Sequence, residues 1–64
     1  MKTTQIKVGN EWEDINFMDL EVGNKFRMLT DGKVDIDEKG RKVFIAISFP
    51  YRKPSGGYTI DIYS

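Results

Sequence analysis

Residues 42–51 read KVFIAISFPY, the longest nearly uninterrupted apolar run in the chain. The run is rich in β-branched and aromatic residues, Gly40 lies just before it and Pro50 breaks it, which is the pattern of a central β-strand. Side chains alternate across a strand, so Val43, Ile45, Ile47 and Phe49 share one face and Lys42, Phe44, Ala46 and Ser48 the other. The first face is wholly apolar and is expected to be core. The second is only half apolar and is where a partner would be met.

Working outward, the flanking segments are short and punctuated by turns. Residues 3–8 (TTQIKV) read as a first strand and Gly9-Asn10 as a turn. A loop of Gly9, Asn10 and Glu11 would set Val8 against Trp12 and Lys7 against Glu13, matching chemistry on both sides, and that register is the expected one. Trp12 then opens a second strand ending near Ile15. Asn16 followed by Asp19 reads as the cap of one helical or 3₁₀ turn, with Phe17, Leu20 and Val22 inward and Glu21 wet, and Gly23 suits a chain reversal. Lys25–Leu29 is a strand with Phe26 and Met28 inward. Asp31-Gly32 is a hairpin turn from which residues 33–36 return. A second turn over residues 37–40 leads into the central run. Residues 51–57 form a loop around Pro54 and Gly56-Gly57, and Tyr58, Ile60 and Ile62 of the last strand face the core.

Helix-forming apolar residues are scarce: Ala46 is the one alanine, and Leu20 and Leu29 are the two leucines. The expected fold is therefore all-β: a single domain over residues 1–64, built as a small antiparallel SH3-like barrel of five or six short strands with one short helical or 3₁₀ turn. With no Cys and no His among 64 residues, disulfides and structural zinc cannot staple it, and packing must supply the stability, about 3–5 kcal/mol for a chain this small. Neither a signal peptide nor an apolar span long enough for a membrane is present, so the expected location is cytoplasmic.

The same absences bear on chemistry. The commonest general base and the best nucleophile are missing, Ser48 has no His partner and Ser55 lies in a glycine-containing loop, so catalysis is not expected. Asp31, Asp35, Asp37 and Glu38 cluster in sequence, but an EF-hand reading fails at Lys39 and at Ala46, where oxygen ligands are required, leaving a turn. No cofactor motif is present.

Two binding readings remain. Formal net charge is zero, yet five acids and no Lys or Arg fall between Val8 and Asn24, while basic residues collect at Lys39, Arg41 and Lys42 and at Arg52 and Lys53. Protein binding would use Trp12, Glu13, Asp14, Tyr51 and Tyr58, aromatic hot-spot types beside an acidic segment. Single-stranded nucleic acid would use Arg27, Arg41, Lys42, Phe44, Tyr51, Arg52, Lys53 and Tyr63, cations for phosphates and rings for bases. Self-assembly is a third option for so small a core.

The run Trp12, Ile15, Phe17, Leu20, Gly23, Phe26-Arg27-Met28, Asp31-Gly32, Phe44, Ala46, Ser48, Pro50-Tyr51, Tyr58 and Ile60 resembles small uncharacterised β-rich proteins of phages, prophages and mobile elements of Gram-positive bacteria. Asn24 and Tyr58 stand where that pattern carries Asp and Trp. The resemblance implies a phage or mobile-element accessory protein and assigns no residue a role.

Overall fold

A computed structural model describes residues 1–63. The chain is all-β apart from one 3₁₀ turn, with strands β1 (Lys2–Val8), β2 (Glu11–Ile15), β3 (Lys25–Thr30), β4 (Lys33–Val34), β5 (Phe44–Ile45), β6 (Tyr51–Arg52) and β7 (Tyr58–Thr59). All pairings are antiparallel. The main sheet runs β2-β1-β3, and both β4 and β5 pair with β3, at opposite ends of it. β6 and β7 form a separate two-stranded ribbon, and an Ala46–Ile62 bridge ties the last segment to the one that follows β5. The barrel does not close into a continuous hydrogen-bonded ring. Among the described residues no helix is long and apolar enough to cross a membrane.

The turns obey local chemistry. Asp31 and Gly32 both take positive φ, 51° and 83°, as a type I′ hairpin demands. Asn16 caps the 3₁₀ turn (Phe17–Asp19) by accepting from the Met18 N–H at 3.0 Å. Asp37 organises the turn before β5: its carboxylate accepts the backbone N–H groups of Lys39 and Arg41 at 3.0 and 2.7 Å and the Arg41 Nε at 2.8 Å.

Several expectations are corrected, among them the loop expected over residues 51–57, whose first two residues form β6. The first hairpin has a two-residue loop, with Val8 opposite Glu11 and Lys7 opposite Trp12. Gly9, with φ 61°, supplies the positive angle that a II′ turn needs at its first central position. The three-residue register would have placed Ile15 opposite Gln5 on the outer face; the observed one sets Ile15 opposite buried Thr4 on the core face, and Glu13, which then lies opposite Ile6, stays exposed.

The central run is a further correction, because its faces are reversed. Ala46 is buried and Phe44 half-buried, whereas Val43, Ile45, Ile47 and Phe49 are exposed. Phe44 lies opposite Phe26, and the two rings stack tilted at 5.8 Å between centroids. The backbone enforces this: Gly23 N–H donates to the Ala46 carbonyl at 2.8 Å and Ala46 N–H to the Asn24 carbonyl at 2.9 Å, which turns the Ala46 side inward.

Leu20, Phe26 and Ala46 form the buried core, packed round by Ile6, Ile15, Phe17, Met28, Phe44, Ile60 and Ile62. Phe17, Leu20, Phe26 and Met28 are thus inward as expected, and Glu21 is exposed. Val22 is exposed, since the chain is already reversing there, and Tyr58 is more than half exposed despite the alternation that placed it in the core.

Candidate protein-binding cleft

The core is open on one side. Where β7 and the residues after it pass the inner face of the sheet, a cleft of about 270 Å³ remains, lined by Phe17, Phe26, Met28, Phe44, Tyr58, Thr59, Ile60 and Ile62. Four elements make it. The 3₁₀ turn supplies Phe17, β3 and β5 supply a wall of Phe26, Met28 and Phe44, and the last strand supplies the opposite wall. Its lining is almost wholly apolar and aromatic, and its volume is below the usual ~300–1,000 Å³ of small-molecule pockets. Such a space suits one or two anchoring side chains of a larger partner.

A free sheet edge borders the cleft. Among the described residues β7 pairs with β6 alone, so the other edge of β7 presents unpaired backbone groups. Tyr58 stands at the mouth, 54 % exposed. Tyr51, on β6, donates its hydroxyl to Asp61 at 2.8 Å, which holds the ribbon against the last segment. The same bond keeps the Tyr51 phenol protonated above its ordinary value of 10.0.

The residues proposed for protein binding divide into two groups. Tyr51 and Tyr58 lie on the β6–β7 ribbon beside the cleft, but Trp12, Glu13 and Asp14 are on β2, at the far edge of the sheet with β1 and β3 between. Trp12 is half-buried under the Arg27 guanidinium, 4.3 Å from its ring centroid. Asp14, Gln5 and Arg27 form a row across three strands, Gln5 donating to Asp14 at 2.8 Å and accepting from Arg27 Nε at 2.9 Å. This is a structural network on the outer face.

The nucleic-acid set is likewise divided. Arg27 is held by Gln5 and Trp12. Arg41 is bound to Asp37 and lies over the Phe44 ring at 5.8 Å, and Phe44 faces the core instead of sharing an outer face with exposed Lys42. Tyr63 is exposed, and the Arg41 guanidinium donates to its carbonyl at 3.3 Å. Tyr51, Arg52 and Lys53 alone cluster, exposed at one end of the ribbon.

The sequence reading missed the cleft because its walls carry an ordinary core pattern. Phe26, Met28, Ile60 and Ile62 alternate as any buried strand face does, and nothing linear separates a wall facing another wall from one facing a gap. The chain matches no protein-family model, and no curated protein or solved structure is significantly similar to it.

Proposed function

We propose that this chain is a non-enzymatic accessory protein of a phage or mobile element that works in the cytoplasm as a protein-interaction module. It takes an extended segment of its partner along the free edge of β7 and seats an apolar side chain of that segment in the cleft. The observation that carries the reading is the open aromatic-lined cleft beside an unpaired strand edge. Strand addition supplies affinity through backbone hydrogen bonds and a flanking pocket supplies selectivity. The lining holds Phe17, Phe44 and Tyr58, and burying an aromatic anchor among such rings is the commonest source of binding energy at interfaces.

A second reading is favoured by one observation, the exposed cluster of Tyr51, Arg52 and Lys53, which fits single-stranded nucleic acid. One experiment tests both. The immobilised chain is exposed to nuclease-treated host lysate beside two variants, Tyr58→Asp and one in which Arg27, Arg41, Arg52 and Lys53 are neutralised. A protein retained by the unmodified chain and by the neutralised variant, and lost with Tyr58→Asp, supports the cleft. Retention of nucleic acid without nuclease, lost on neutralisation and weakening steeply with salt, replaces it with the second reading.

A further inference from the structure

The face of the central run opposite the cleft is also apolar. Val43, Ile45, Ile47 and Phe49 are 43, 38, 52 and 61 % exposed, and Tyr63 beside Ile45 is 67 % exposed. The segment carrying them is no sheet edge. On one side it pairs with β3 (Lys25 opposite Ile45), and on the other Tyr63 N–H donates to the Ile45 carbonyl at 2.9 Å and Ile47 N–H to the Asp61 carbonyl at 3.0 Å. Interior strands that are apolar on both faces belong to sheets covered on both faces. Here the chain covers one.

The surface area is also large for a chain of this size. A folded monomer of 7.4 kDa is expected to expose about 4,200 Å². This chain exposes 4806 Å². The excess, roughly 600 Å² per copy, corresponds to roughly 1,200 Å² for a pair, the lower end of specific interfaces. The radius of gyration, 11.4 Å, likewise exceeds the ~10.7 Å expected at this length.

We propose that a second copy of this chain covers the stripe, the two sheets packing face to face through Val43, Ile45 and Ile47. Pairing through the β2 edge is opposed by Glu11, Glu13 and Asp14, which would bring like charges together. The stripe itself carries no charged side chain: Lys25 flanks it beside Ile45 on β3, and Asp61, which holds the Tyr51 hydroxyl, flanks it across from Ile47. The pair leaves both clefts open, on its two outer sides.

Sedimentation equilibrium of the purified chain from about 1 to about 300 µM tests this, with dissociation expected on the order of ten micromolar for so small an interface. Ile47→Asp changes both halves of the contact and should weaken association by roughly 100-fold or more, with Trp12 fluorescence showing the fold retained. A chain monomeric throughout the range overturns the proposal, as does a dimer indifferent to Ile47→Asp.

Discussion

Truncating the two faces of the central run separately measures which of them is core. Phe44 is half-buried against Phe26, 5.8 Å between ring centroids, and forms part of the cleft wall. Full burial of a Phe makes Phe→Ala cost about 3–5 kcal/mol. Scaling for partial burial and adding the aromatic pairing leaves about 2–3 kcal/mol for Phe44→Ala. Ile47 is 52 % exposed and would leave no closed cavity, so Ile47→Ala should cost at most about 1 kcal/mol. Against a total of about 3–5 kcal/mol, the first change removes half or more of the stability and the second a minor part. In melting temperature this is about 10–20 °C against less than about 8 °C. The assay is urea and thermal unfolding followed by Trp12, the sole tryptophan, at concentrations low enough to keep copies apart. An Ile47→Ala cost equal to or above that of Phe44→Ala, under those conditions, would refute the inward placement of the Phe44–Ala46 face.

Three further outcomes follow from single contacts. Gly23 holds φ at 92° while its N–H binds the Ala46 carbonyl, and a Cβ there meets no atom within 4 Å. Gly23→Ala should therefore cost about 1–2 kcal/mol through backbone strain alone, read as a lower urea midpoint. The Asp37 carboxyl is held below its ordinary 3.8, chiefly by the Arg41 N–H and further by the Arg41 guanidinium and the Lys39 N–H; Asp35 is lowered too, by Thr30 and Lys2. Both favour the ionised folded form, so their stabilisation is complete above about pH 4 and is lost as pH falls through the lowered values. Urea midpoints across that range check this, and Asp37→Asn should flatten the acid slope. Tyr51 has the opposite sign: its phenol is raised above 10.0 by the bond to Asp61, so its stabilisation is present below pH 10 and disappears as pH climbs past the folded value. Tyr51→Phe should abolish that alkaline loss, as followed by ultraviolet titration and circular dichroism.

The strand-rich class, the Asp31-Gly32 hairpin, the Asn16-capped turn and the turn at Asp37 were legible in the chain because each rests on residues within a few positions of one another. Glycine and Asp accept positive φ, and a short Asn side chain reaches the next N–H groups, whatever surrounds them. Which side of KVFIAISFPY points inward was not legible, since both faces are apolar enough to be buried. That choice is made by partners about twenty residues away: Gly23 and Asn24 clasp Ala46 by hydrogen bonds, and Phe26 meets Phe44. The register of the first hairpin was decided in the same way, by the gain of setting Ile15 on the core face opposite Thr4, which exists only once β3 and the 3₁₀ turn give that face something to bury. The cleft and the uncovered stripe are both differences between where the chain carries apolar side chains and where its own surfaces reach to cover them, a quantity that only packing in three dimensions fixes.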